Sequence, residues 1–169
     1  MIRKLEMKDL PYMLEWMHDK NVISHLQANF ESFTEEKVAD FIKNAMNQTF
    51  DSEHLHYAIV NENDEYMGTI SLKNINKKDK NAEYAIVTRS IAHGKGYARV
   101  ATDDILAVGF KELNLEKVYL YVSVNNVGAN RFYEKCGFVE EGIFRKHMMI
   151  KGKLEDIKWF SILKNEFLR

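Results

Sequence analysis

The stretch from Asn81 to Phe138 most narrows what this chain can fold into. Ala82–Thr88 reads as a strand, and Ile91-Ala92-His93-Gly94-Lys95-Gly96-Tyr97-Ala98 follows as a glycine loop opening a helix. Ala101, Ile105, Val108 and, less regularly, Leu113 line one side of that helix. Lys117–Val124, rich in valine and tyrosine, is a second strand, and Asn126–Cys136 a short helix. Gly137 is placed to stop that helix, because glycine reaches the left-handed conformation without steric cost. Strand, helix, strand and helix in succession point to an α/β fold.

The flanking segments fit around this unit. Pro11, the only proline, lies where a first helical turn tolerates it. Leu10, Met13, Leu14 and Met17 then recur at helical spacing, with Asp9 as the expected N-cap. A second helix is expected from Thr34, with Glu35 and Glu36 complementing its dipole and Val38, Phe41, Ile42 and Ala45 as its apolar stripe. Strands near Leu55–Asn61 and Tyr66–Lys73 form a hairpin around Glu62-Asn63-Asp64-Glu65, and Asn74–Lys80 reads as a polar turn. Phe138–Met149 and Lys153–Leu163 read as two strands around Lys151-Gly152. No linker-like or repeated segment breaks the chain, so residues 1–169 are expected to form a single domain, a mixed α/β sheet with helices on both faces.

Composition excludes several functional classes. The chain has 24 basic and 25 acidic residues, a net charge of −1, which argues against a general nucleic-acid-binding surface. One cysteine, Cys136, permits neither an intrachain disulfide nor a thiolate-rich zinc site, and it is expected to pack as a small apolar group. The N-terminus meets charge at Arg3 and Lys4, too soon for a signal peptide, and no apolar run approaches membrane-spanning length. A soluble cytoplasmic protein without a membrane partner is the expectation.

Gly94 and Gly96 flank Lys95 where a strand passes into a helix. Backbone can approach a ligand closely there, and the first helical N–H groups have no partner within the helix. With the helix dipole these donors suit a pyrophosphate, and Arg89, Lys95 and Arg99 add charge nearby. The plainer reading is a tight turn with solvated basic residues. A P-loop needs Lys-Ser or Lys-Thr, whereas Tyr97 follows here. A dinucleotide fingerprint needs a third glycine, and Arg99 stands in its place. Downstream, Asn126 and Tyr133 lie two helical turns apart, about 10 Å along one face, with Ala129 and Asn130 between them.

The loop, the asparagine–tyrosine helix and the strand between them resemble the acyl-CoA-binding core of the GNAT superfamily of N-acetyltransferases. Glu141-Gly142-Ile143-Phe144-Arg145 with Lys151-Gly152-Lys153 and Asp156 looks like its ribosomal-protein and spermidine acetyltransferase branch. The loop departs from the family pattern at Ile91, where glutamine or arginine is more usual. The resemblance implies a mostly antiparallel central sheet and acetyl-CoA as cosubstrate, with no metal. It assigns the backbone of His93, Gly94, Lys95, Gly96, Tyr97 and Ala98 to the coenzyme phosphates. Asn126 would bond the coenzyme, and Ala129 would leave room for its pantetheine arm. Ile86 and Thr88, at the end of their strand, would meet its acyl end, one backbone N–H serving as oxyanion donor. Tyr133 would be the acid that protonates the leaving thiolate, a phenol and a thiol having comparable ordinary pKa values.

Glu83 is the acidic residue of an otherwise apolar strand, and desolvation would raise its pKa towards that of a general base working through water. Its plainer reading is a structural carboxylate. His25 is a secondary candidate near the acceptor; His54 and His56 lack a third metal ligand, and His93 and His147 have no defined partner. The expected reaction is transfer of an acetyl group to a primary amine of a small molecule (a polyamine, amino sugar or amino-acid derivative) in a ternary complex. Glu31, Glu35, Glu36 and Asp40 lean towards a cationic amine, though a solvated helix start is their plainer reading. A protein N-terminus and a catalytically silent acyl-CoA-binding module are the alternatives, and a homodimer is compatible with either reading.

Overall fold

A computed structural model describes residues 1–168. Strand β1 (Ile2–Lys4) leads into helices α1 (Leu10–Met17), α2 (Lys20–Ile23) and α3 (Glu35–Met46). Strands β2 (Leu55–Val60), β3 (Tyr66–Asn76) and β4 (Asn81–Thr88) follow, then α4 (Tyr97–Ala107), β5 (Lys117–Ser123) and α5 (Val127–Lys135). The chain closes with β6 (Val139–Ile150), β7 (Lys153–Leu163) and α6 (Lys164–Phe167). The seven strands form one sheet in the order β1-β2-β3-β4-β5-β7-β6, antiparallel throughout except between β4 and β5. The expected mixed, mostly antiparallel sheet is therefore present.

Each face buries its own core. On one, Ala101, Ile105 and Leu106 of α4 pack with Phe110, Leu72, Tyr84, Leu120 and Phe160. On the other, Met13, Trp16 and Met17 of α1 and Val38 and Ile42 of α3 pack against Ala58, Val60 and Tyr66. Of the apolar stripes legible in α1 and α3, Met13, Met17, Val38, Ile42 and Ala45 are buried and Leu10, Leu14 and Phe41 half-buried, while Trp16 adds a buried ring outside the stripe. The stripe of α4 loses its spacing at Val108 because the helix passes into a π turn over Val108–Glu112. The wider turn rotates Gly109 and Phe110 inward and leaves Val108 and Leu113 half-buried.

Two local expectations need correction, and one element is new. Asp9 is not an N-cap that bonds α1: its backbone is helical and its carboxylate makes no cap bond to that helix. It is buried, held by Arg3 at 2.8 and 2.9 Å and by the Glu6 N–H at 2.9 Å. Asn74–Lys80 is only partly a turn, since β3 runs on to Asn76 through an irregular register with β4. The short helix α2 lies where the sequence showed no apolar period. It is capped by Asp19, whose side chain accepts from the Asn21 N–H.

Arg3→Met would leave the Asp9 carboxylate buried without its cation. Breaking a buried pair in this way costs about 3–5 kcal/mol, to be read as a lowered denaturation midpoint in urea.

Candidate active site

The parallel strands β4 and β5 pair only over Asn81↔Lys117, Ala82↔Val118 and Glu83↔Tyr119. Beyond Glu83 they diverge, because β4 stays bound to β3 as far as Thr88 and β5 stays bound to β7 as far as Ser123. A wedge opens between them with its apex at Glu83 and Tyr119. Gly68 lets β3 follow β4 along this arm: a Cβ there would lie 2.4 Å from the Val87 carbonyl oxygen. The Arg89 N–H donates to the Met67 carbonyl, so Arg89, Val87 and Ala85 turn their backbone groups towards β3. By alternation, Ile86 and Thr88 turn theirs into the wedge. Both side chains are half-buried.

The glycine loop closes the wide end of the β4 arm. Gly94 and Gly96 have φ of +72° and +85°, a region other residues enter only at a cost, and Gly96 is the N-cap of α4. A Cβ at either position would meet nothing within 4 Å, so glycine serves conformation here and the loop surface is open to a ligand. Among the described residues, the N–H groups of Gly94, Gly96, Tyr97 and Ala98 find no acceptor. Four unpaired donors beside a helix N-terminus match the demands of a pyrophosphate. His93 and Lys95 are exposed, and Tyr97 and Ala98 half-buried.

Of the three nearby cations, two are committed elsewhere. Arg89 is buried and bonds Glu15, Glu65 and the Tyr66 carbonyl while stacking on Tyr12 at 4.5 Å. It ties α1 to the sheet instead of facing the loop. Arg99 bonds Asp103 and the Lys135 carbonyl, joining α4 to the end of α5. Lys95 makes no ion pair among the described residues.

The helix α5 lies along the far arm. Asn126 caps it, its Oδ1 accepting from the Ala129 N–H at 3.2 Å, which leaves its amide nitrogen free of protein partners among the described residues. Asn130 is buried and donates to the carbonyls of Ser123 and Asn126, while its Oδ1 has no partner among the described residues. That orphaned acceptor suits a ligand amide N–H and was not singled out from sequence. Its signal was the Asn126–Asn130 spacing of four on one helix face.

Tyr133 is fixed by the way α5 ends. Gly137, at φ +91°, donates to the Glu134 carbonyl and Phe138 to the Tyr133 carbonyl, a Schellman motif. Phe138 thereby meets the Tyr133 ring at 6.0 Å, with Tyr84 at 5.9 Å and Phe160 at 6.2 Å. The Tyr133 hydroxyl has no protein partner among the described residues and is not sealed from solvent. Burial of the ring pushes the phenol well above its ordinary value, so it holds its proton at neutral pH. The expected match to a free thiol is therefore not met by Tyr133 alone. A thiolate forming in the same apolar enclosure is disfavoured by the same desolvation, which narrows the gap.

Glu83 is buried at the apex, on the opposite face from Tyr84 and the Tyr133 ring. It is not an isolated carboxylate: Lys73 Nζ lies 2.8 Å from one oxygen, and Asn74 donates to the other at 2.8 Å. Lys73 sits opposite Glu83 in the β3–β4 register, a pairing invisible in sequence.

The remaining histidines lie outside the wedge. His54 accepts from the Asn74 N–H, and His56 bonds Ser71 at 2.6 Å and is pushed down to about 4 by burial. His25, His93 and His147 are exposed, and so are Glu31, Glu35, Glu36 and Asp40. Cys136 is buried, as expected, and burial raises its thiol. An open groove of about 510 Å³, lined by Asp51, Glu53, Asn74, Asn76 and Lys77, lies at the other end of β4 from the glycine loop. Among the described residues, no group of three potential metal ligands comes together, and no helix is long and apolar enough to cross a membrane.

Residues 1–139 match the model of the acetyltransferase (GNAT) domain. The chain is 31% identical to spermidine N(1)-acetyltransferase of Vibrio cholerae, over 99% of this chain and 94% of that one. It is 28% identical to spermidine N(1)-acetyltransferase of Escherichia coli strain K12, over 99% and 87%. The crystal structure of the Vibrio cholerae spermidine N-acetyltransferase in complex with CoA and spermine superposes with a TM-score of 0.89 at 28% identity, covering 100% of this chain and 98% of that one. The donor-lined loop, the wedge and these whole-length similarities agree: the chain belongs to the GNAT acetyltransferase family and is an acetyl-CoA-dependent N-acetyltransferase.

Proposed function

We propose that the acceptor is a linear polyamine, acetylated on a primary amine while acetyl-CoA is bound. The observation that carries this reading is similarity along the whole chain to spermidine N-acetyltransferases, one of them solved with CoA and spermine. The proposal gives the backbone of His93–Ala98 to the coenzyme phosphates and Asn126 to its pantetheine amides, with Ala129 leaving the arm room. Acetyl-CoA supplies an activated acyl carbon as a thioester.

The chain's own groups supply the rest. The backbone N–H of Ile86 or Thr88 is offered to the carbonyl oxygen, where negative charge develops. Glu83 draws a proton, through water, from the amine that attacks from its face of the sheet. Tyr133 gives its proton to the sulfur as the C–S bond breaks, and the new C–N bond leaves an amide and CoA. In this scheme acid and base stand on opposite faces of the wedge, so the proton taken and the proton given never compete for one group. A cytoplasmic location fits such a substrate. The exposed apolar residues Val139, Ile143, Phe144 and Met149 on edge strand β6 support a homodimer, which light scattering would test.

CoA release measured across polyamines, aminoglycosides, amino sugars and N-terminal peptides tests the acceptor class. Turnover is expected with linear polyamines. Turnover confined to peptides would contradict the proposal, as would CoA binding with no turnover of any amine.

A further inference from the structure

The face of the sheet that carries Glu83 continues across the wedge as a stripe of unusual composition. In register with Glu83 stands Tyr119; two residues on is Tyr121, and across from it on β7 is Trp159. Trp159 stacks with Tyr119 at 5.9 Å and lies 5.2 Å from both Tyr121 and Phe144. Tyr119, Tyr121 and Trp159 are half-buried, so their rings are partly open. The indole Nε1 of Trp159 is buried and has no partner among the described residues. On the opposite arm Ala85 offers only a methyl group.

The far end of the stripe carries a second carboxylate. Glu155, on the same face of β7, accepts from the buried Ser123 hydroxyl at the end of β5. It is half-buried, yet among the described residues it makes no ion pair. A carboxylate withdrawn from water is ordinarily paired with a cation. From Tyr119, level with Glu83, to Ser123 is four residues of β5, which spans about 13 Å at a strand's rise. Two carboxylates so separated, with aromatic rings between them, match a flexible chain bearing ammonium groups at its ends and methylenes in between.

We propose that Glu155 is a specificity-determining residue that holds the distal ammonium of the acceptor, while Tyr121 and Trp159 carry its methylene chain towards the reacting end at Glu83. This rests on the polyamine reading above and deepens it. It explains why Ser123 is buried with its hydroxyl aimed at Glu155, and why Tyr119, Tyr121 and Trp159 stand together on this face. Selectivity then depends on a charge remote from the reacting nitrogen. An amine of equal length with an uncharged tail gains from the rings and nothing from Glu155.

The test compares spermidine with a primary amine of the same length and an uncharged tail, using the full-length enzyme. Glu155→Gln should raise KM for spermidine about 10- to 100-fold, the range of a charge-assisted hydrogen bond, and leave KM for the neutral-tailed amine and for acetyl-CoA unchanged. Trp159→Leu should raise KM for both amines alike. If Glu155→Gln does not fold, Glu155→Asp keeps the charge with shorter reach and should show the same selective rise to a smaller extent.

An unchanged spermidine KM in a folded Glu155→Gln enzyme would overturn the assignment, and so would an equal rise for both amines. Wild-type enzyme that turns over no linear polyamine would instead contradict the underlying reading, and the assignment would fall with it.

Discussion

Tyr133→Phe should lower the rate of acetyl transfer by about 10²- to 10⁴-fold, the usual contribution of a positioned acid. The substitution keeps the ring and hence the packing against Tyr84, Phe138 and Phe160. It removes a hydroxyl with no protein partner among the described residues, so folding stability should change little. Affinity for CoA should also hold, because the donors proposed for its phosphates lie on α4 and its loop. Single-turnover kinetics separate chemistry from product release and so read the loss directly. An unchanged single-turnover rate would remove Tyr133 from the mechanism.

Gly96→Val should abolish thermal stabilisation by CoA. At φ +85° an L-residue pays about 1–2 kcal/mol for the left-handed conformation, and a β-branched one pays more. The loop relieves that cost by turning its N–H groups away from their common aim. A ligand at 100 times its Kd stabilises by about 2.7 kcal/mol, and the variant should lose nearly all of this. Lys95→Ala, which removes one exposed charge, should weaken binding only modestly. Full stabilisation of Gly96→Val by CoA would contradict the assignment of the loop to the phosphates.

What was legible in the sequence was local. Gly137 after an amphipathic helix forecast both the helix end and the left-handed residue, because a Schellman motif is set by a few adjacent residues. The glycine loop was legible for the same reason. Asp9 stands at the N-cap position of α1 as the sequence predicts, but its carboxylate goes to Arg3, because a residue that caps helices well also makes a good buried ion-pair partner. The choice was settled by Arg3 on a three-residue strand too short to show a period.

The site's geometry was less accessible. The wedge depends on which neighbours β4 and β5 keep, and strand pairing leaves no trace within either strand. Glu83 reads as a lone carboxylate until the register brings Lys73 opposite. Arg89 looks like loop charge until Glu15, far away in sequence, is folded against it. In each case the missing information was a contact between segments that carry no local record of each other.

The most direct test of the account is product analysis of wild-type enzyme given spermidine and isotopically labelled acetyl-CoA. The account predicts one labelled acetyl group on a primary amine of spermidine, with CoA released in equal amount. Tight CoA binding without any labelled polyamine, under conditions where the protein is folded, would contradict it.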